Sequence, residues 1–328
     1  MNILIVARVR IPAFAYGGTE RVIWDLGAQL ALLGHRVQYL VRPGSSCPFA
    51  ETLALADDAD WRPRVPADTD VVHLHFHPGA EPDCAHVVTE HGNPQVGARL
   101  LRNTVFVSHD QARRHGAQCF VHNGLDWSAY GAPALEPKVQ AQARFHFLGK
   151  AAWRVKNVQG AIDVASEAGV ALDVLGGTRI NFKRGWRLTL SHRVRFHGMV
   201  GGTEKFRLLG ASAGLILPVR WHEPFGLAVI ESLYFGCPVF ATPYGAFPEI
   251  VPPSCGVLSA RQSVLAQAVR DFGRFDRRAC HQHALARFSA QRMARQYLRC
   301  YERVAAGEPL NETVPVLAQD ARGLPWNQ

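Results

Sequence analysis

Residues 221–231 read W-H-E-P-F-G-L-A-V-I-E and set two carboxylates, Glu223 and Glu231, on either side of an abrupt break in the chain. Pro224 disfavours a helical conformation at Glu223 and is itself suited to a helix's first turn. Gly226 lets the backbone approach a ligand closely. A helix then runs through L-A-V-I-E-S-L-Y-F to a stop at Gly236 and Pro238. The amides of Phe225, Gly226 and Leu227 would form its positive start, an anion site suited to a diphosphate. Glu231 lies roughly 7.5 Å further along the axis at ~1.5 Å per residue. It cannot hold phosphate, because like charges repel, but it can accept hydrogen bonds from the vicinal hydroxyls of a ribose. Glu223, on the other side of the anion site, can do the same for a sugar on the distal phosphate. The bland alternative makes Glu223 a helix-dipole partner and Glu231 part of a solvated face.

Two further segments favour the chemical reading. F-L-G-K-A-A-W-R-V-K-N (147–157) is a strand followed by Lys150, Arg154 and Lys156, three cations that could neutralise a diphosphate leaving group. T-P-Y-G-A-F-P-E-I (242–250) is a tight strand-to-helix turn able to approach phosphates, with Glu249 as an alternative helix-start acid. His73, His75 and His77 alternate along a strand and share a face. Zinc ligation is the minor reading of that set, and a buried or ligand-lining role the major one. The D-x-D pieces at Asp58–Asp60 and Asp68–Asp70 precede a strand instead of following one, which argues against a metal–diphosphate role.

The elements that must position these groups form two βαβ series. Strands are expected at Ile3–Ala7, Val37–Val41, 70–77, 86–91 and 104–108, with a helix from Thr19 to Gly34. The rhythm restarts at 145–149, 171–177, 194–198, 214–219 and 238–242, with a helix from Asn157. Continuous β-branched runs of this kind suit parallel sheets covered on both faces. Residues 131–142 carry two prolines and no apolar period and are the expected linker. The domains are therefore 1–130, 131–288, and a C-terminal segment 289–328 whose helix packs back on the first domain and whose last residues form a loose tail. The fold class is α/β: two Rossmann-like, doubly wound parallel-sheet domains facing a cleft, where such sheets bind ligands.

Composition bounds the rest. The 328 residues suit two domains, and 48% hydrophobic with 19% charged residues is an ordinary globular balance. Seven scattered cysteines without a C-x-x-C pair fit reduced thiols. The short apolar N-terminus reads as a first strand, and no run reaches the ~18 apolar residues of a membrane span. The expected location is cytoplasmic. A net charge of +9 favours anionic partners. Arg99, Arg102 and Arg113–His115 would offer a basic face to a phosphorylated acceptor or to the membrane's inner surface. No nucleic-acid motif accompanies the charge.

At this point the residues resemble a known family, the retaining, nucleotide-sugar-dependent glycosyltransferases of family four (glycosyl transferases group 1), with the GT-B fold. Glu223-Pro224-Phe225-Gly226 followed by Glu231 reproduces the family's hallmark. The likeness continues in P-E-I-V (248–251), F-L-G-K…V-K-N, V-H-N-G-L-D (121–126), G-G-T-E-R-V (17–22) and D-V-V-H-L-H (70–75), and spans roughly residues 2 to 304. It implies donor-phosphate contacts for Lys156 and for Lys150, which stands where an arginine is usual and so lacks the planar fork. It further implies that Glu231 binds the donor ribose, that Glu223 lies beside the transferred sugar, and that Gly17 and Gly18 face the diphosphate. His91, in V-T-E-H-G, matches the family's active-site histidine near the donor sugar. Phe225, Gly226 and Leu227 complete the donor site. The resemblance implies no cofactor and no metal, a nucleoside diphosphate sugar (UDP favoured) as donor, and a hydroxyl acceptor. A phosphorylase lacks support at this length. A nicotinamide dehydrogenase fits poorly because the first loop reads A-Y-G-G-T-E. The runner-up is a non-catalytic sugar-nucleotide-binding partner or sensor of the same fold.

Overall fold

The computed structural model describes residues 1–12, 17–136, 143–181, 187–320 and 322–327. The chain divides into two compact units, one of residues 1–127 with 288–320 and one of 128–287 with 321–328. Of the expected linker, residues 137–142 lie outside the described residues, as do Ala15 and Tyr16 of the first loop.

In unit 1, β1 (Asn2–Val6) leads into α1 (Gly18–Leu32), β2 (Arg36–Val41), β3 (Glu51–Ala54), β4 (Val71–Leu74), β5 (His86–Glu90), β6 (Thr104–Phe106) and α2 (His109–Arg114). The six strands are all parallel, in the order β3-β2-β1-β4-β5-β6. Burial on both faces explains the uninterrupted apolar runs. Leu4, Val6, Leu40, Val72, Leu74 and Val88 form one face with Leu55 and Trp61. Alternation turns His73 to the other face.

Unit 2 contains β7 (Arg144–Leu148), α3 (Val158–Ala168), β8 (Ala171–Leu175), the small antiparallel pair β9 (Ile180–Asn181) and β10 (Arg187–Leu188), β11 (Val194–Phe196), α4 (Gly202–Ala211) and β12 (Leu215–Leu217). It continues with α5 (Leu227–Tyr234), β13 (Val239–Ala241), α6 (Phe247–Ile250), β14 (Gly256–Leu258), α7 (Gln262–Arg270) and α8 (Arg277–Arg287). Its sheet, β11-β8-β7-β12-β13-β14, is again parallel and repeats the first sheet's order. This is the Rossmann order, whose direction reverses between β1 and β4 in one unit and between β7 and β12 in the other.

Helix α9 (Ala290–Ala305) follows a break in which Ser289 accepts a hydrogen bond from the Arg292 amide. It packs against β4, β5 and α1 of unit 1, burying Tyr297 and Tyr301. The C-terminal residues are not a loose tail. Asn311 is buried, donating to the carbonyls of Arg102 and Thr104 and accepting from the amides of Gln118 and Cys119. Further on, the Leu324 amide donates to Arg220, the Asn327 amide to Ala260 and the Tyr244 hydroxyl to Pro325. Backbone pairing, invisible to apolar periodicity, fixes this segment. Among the described residues no helix is long and apolar enough to cross a membrane, and the seven cysteines are free thiols.

Candidate active site

In unit 2 the reversal of strand order brings two loops together. The loop after β7 carries Lys150 and Lys156; the loop after the neighbouring β12 carries Glu223. The Lys156 ammonium donates to both carboxylate oxygens of Glu223, at 2.9 and 2.7 Å. The Trp221 indole N–H donates to Glu223 Oε2 at 2.7 Å, and its ring lies 5.0 Å from the Lys156 ammonium. Side-chain exposures of 16% and 9% put this pair largely out of water. Asn157 holds the lysine loop, taking the left-handed conformation, capping α3 at Gly160 and donating to the Pro218 carbonyl. Lys150 sits 5.0 Å from the Trp153 ring, while Arg154 is exposed.

The backbone of Glu223 is fixed by the next loop. The Ala246 amide donates to the Glu223 carbonyl at 3.0 Å. Gly245 has φ 68°, and a Cβ there would stand 2.2 Å from the Glu223 carbonyl oxygen. The glycine expected to approach phosphate therefore serves first to approach Glu223. Gly245→Ala is expected to lower stability by at least about 1–2 kcal/mol from the left-handed backbone alone, and to displace Glu223. Thermal unfolding checks this, and an unchanged melting temperature would contradict the packing described.

Helix α5 begins at Leu227, with Gly226 in the left-handed region (φ 103°) and no side-chain cap. Its opening amides without a helical carbonyl are those of Gly226, Leu227 and Ala228, since Val229 N–H bonds back to Gly226. Phe225, expected among the anion-binding amides, precedes the helix and buries its ring. Glu231 differs from the exposed carboxylate of the bland alternative. It is 2% exposed, and its Oε1 accepts from Tyr130 at 2.7 Å and from Lys205 at 2.5 Å. Lys205, on α4, is itself 6% exposed. Neither Tyr130 nor Lys205 was expected from the sequence; a lysine inside the buried-face register of α4 (with Leu208 and Leu209) is the one available signal.

In unit 1, Gly17 and Gly18 open α1 after β1; Gly17 is extended and no side chain caps the helix. His75 follows β4 and His91 follows β5. His75 Nδ1 and His91 Nε2 are 2.8 Å apart. His73 contacts the Tyr301 hydroxyl and Thr89 Oγ1, each at 2.7 Å, and Thr89 contacts Tyr297. His77 is exposed and its Nδ1 accepts from the Gly79 amide. The three histidines thus do not converge, and no metal-binding group of three or more His, Cys, Asp or Glu occurs among the described residues. The basic residues of the first domain are engaged too: Arg102 with the carbonyls of Asn311 and Glu312, Arg114 with Asp110 and Asn93, and His115, buried, with the Gln111 carbonyl.

Burial lowers His73 to about 3, helped by His91, lowers His91 to about 4, and holds His75 well below its usual value. In unit 2, burial between Ser212 and Ser232 lowers His146 to about 3. Between pH 6.5 and these values the unfolded chain binds protons that the folded chain does not, so stability falls with pH. At pH 5, His73 alone accounts for about 2 kcal/mol. The melting temperature is expected to drop from pH 7 to pH 5; an unchanged value would contradict neutral, buried rings.

Residues 142–272 match the family described as glycosyl transferases group 1. This segment, about two fifths of the chain, resembles a glycosyl transferases group 1 domain. The matched segment contains Lys150, Lys156, Glu223, α5 and Glu231, and lies wholly within unit 2. No curated relative matches the sequence. Among solved structures, AviGT4, a glycosyltransferase involved in avilamycin A biosynthesis, superposes with a TM-score of 0.73 at 21% identity, covering 93% of this chain and 98% of that one. Sucrose-phosphate synthase from Thermosynechococcus elongatus gives 0.69 at 17% identity, covering 94% and 100%. HepE of Anabaena in complex with UDP-glucose gives 0.61 at 15%, covering 94% and 99%. At these identities the likeness is one of fold, the two-Rossmann GT-B architecture.

Proposed function

We propose that the protein is a retaining glycosyltransferase that moves a sugar from a nucleoside diphosphate sugar to an acceptor hydroxyl. The observation that carries this reading is the Lys156–Glu223 pair at the strand-order reversal of the group 1 domain. It sets a cation and a sugar-binding carboxylate side by side, beside a helix with an open N-terminus. In the proposed reaction the C1–phosphate oxygen bond breaks and the C1–acceptor oxygen bond forms on the same face. The acceptor proton passes to the departing phosphate oxygen. Charge developing on that diphosphate is met by Lys156, Lys150 and the amides opening α5, groups fixed before the reaction begins. Glu223 accepts hydrogen bonds from the transferred sugar, and Glu231 from the ribose. Gly17 and Gly18 are proposed as diphosphate contacts and His91 as a hydrogen-bond partner of a substrate hydroxyl. The proposed location is the cytoplasm or the membrane's inner face.

UDP-sugars are placed first because the HepE complex, of the same fold, holds UDP-glucose. The test is slow transfer to water, followed by proton NMR, with UDP-, GDP- and ADP-hexoses of α configuration. One series is expected to release its nucleoside diphosphate, with the α anomer of the free sugar appearing first. First appearance of the β anomer would overturn retention. Release from none of the donors, with nucleotide binding intact, would favour the non-catalytic sugar-nucleotide sensor.

A further inference from the structure

We propose that His75 fixes the tautomer of His91, so that His91 presents its Nδ1–H as a hydrogen-bond donor and keeps Nε2 as the acceptor of a bond from His75. The role in transfer rests on the function proposed above; the tautomer itself does not.

The two rings face each other at the carboxyl ends of adjacent parallel strands, and their planes lie within 19°. A 2.8 Å contact between ring nitrogens needs one donor and one acceptor. Two arrangements satisfy it. In the first, His75 carries its proton on Nδ1 and donates to His91 Nε2, and His91 must then be protonated at Nδ1. In the second, His91 donates from Nε2, and His75 must carry its proton on Nε2.

The far nitrogen of His75 distinguishes them. His75 Nε2 is buried and has no hydrogen-bond partner among the described residues. The nearest ring, His73, uses both of its nitrogens on hydroxyls. The second arrangement would strand a buried N–H with nothing to receive it. The first leaves only an unfilled lone pair, and orphaned buried N–H groups are the rarer and costlier of the two. Both rings are neutral near pH 7, because burial depresses them. His91 Nδ1, by contrast, is not among the buried unpaired atoms. Its N–H is then a donor held in a fixed position, suited to the oxygen of a sugar hydroxyl. It is not set up to take a proton from one.

The test is long-range 1H–15N correlation NMR on the full chain with 15N-labelled histidine at pH 7, the two rings assigned by single substitutions. The expected pattern for His91 is a protonated Nδ1 and a bare Nε2. A protonated Nε2, or a doubly protonated ring, would overturn the inference without any variant. In His75→Leu the pattern should collapse to a tautomer mixture, and kcat for the released nucleotide should fall about tenfold, the loss of one hydrogen bond of about 1.4 kcal/mol. His75→Asn, which keeps an N–H near the Nδ1 position, should restore both. A pattern that persists in His75→Leu, or a wild-type rate there, would equally overturn the role assigned to His75. Absence of transfer in the wild type would sink the proposed function and leave the NMR result standing.

Discussion

Lys156→Ala is expected to slow sugar transfer by about a hundredfold to a thousandfold, the scale seen when one preorganised charge-stabilising group is removed. Two effects are mixed in that variant. The leaving diphosphate loses a cation held at a fixed position. Glu223, whose carboxylate takes two bonds from Lys156, keeps the bond donated by the Trp221 indole but loses its counter-charge. Breaking a largely buried ion pair by removing one member costs stability, because the remaining charge is uncompensated. The double variant Lys156→Ala/Glu223→Gln separates the two. It should regain much of the lost melting temperature, since no unpaired charge remains, and none of the lost rate. Recovery of rate in the double variant would show that Lys156 acts only by neutralising Glu223.

The largest effect on stability is expected at Lys205. Lys205→Met leaves Glu231, 2% exposed, with its charge uncompensated inside unit 2. Such a loss is worth about 3–5 kcal/mol, or roughly 10 °C in melting temperature at a few degrees per kcal/mol for a unit of this size. Lys205→Met/Glu231→Gln should recover most of it, with Tyr130 still hydrogen-bonded at position 231. A shift within 2 °C for the single variant, measured by calorimetry, would contradict the buried pair. The pair also answers an electrostatic objection. A carboxylate well inside a helix whose start is to receive a diphosphate would repel it. Lys205 cancels that charge while leaving hydrogen-bonding capacity on the carboxylate.

The parts of this arrangement that were legible in the sequence are those with a local signature. Continuous apolar runs separated by helical periods announce two parallel sheets, because strands buried on both faces carry no polar alternation. Pro224 and Gly226 mark the start of α5, and Ser289 marks the break between α8 and α9. The family resemblance put Lys156 and Glu223 in one donor site, as contacts of phosphate and of sugar, and their direct ion pair was not legible. The edge strands β3 and β14 escaped notice because E-T-L-A and G-V-L are too short to declare a period. Lys205 and Tyr130 escaped for a different reason. Their partner Glu231 lies 26 and 101 positions away, and no spacing rule links them. Trp221, two residues from Glu223, was visible in the motif but gave no sign that its indole would hold the carboxylate. The tail was misread because it is held by backbone pairing and by the side chain of Asn311, neither of which leaves an apolar pattern.

The most direct measurement is isothermal titration of UDP, GDP and ADP into the wild-type chain and into Lys156→Ala. One nucleoside diphosphate is expected to bind the wild type, and to bind Lys156→Ala at least about tenfold more weakly, a loss of about 1.4 kcal/mol. Equal affinity in both proteins, or no binding of any of the three to the wild type, would contradict a donor-diphosphate site at Lys156.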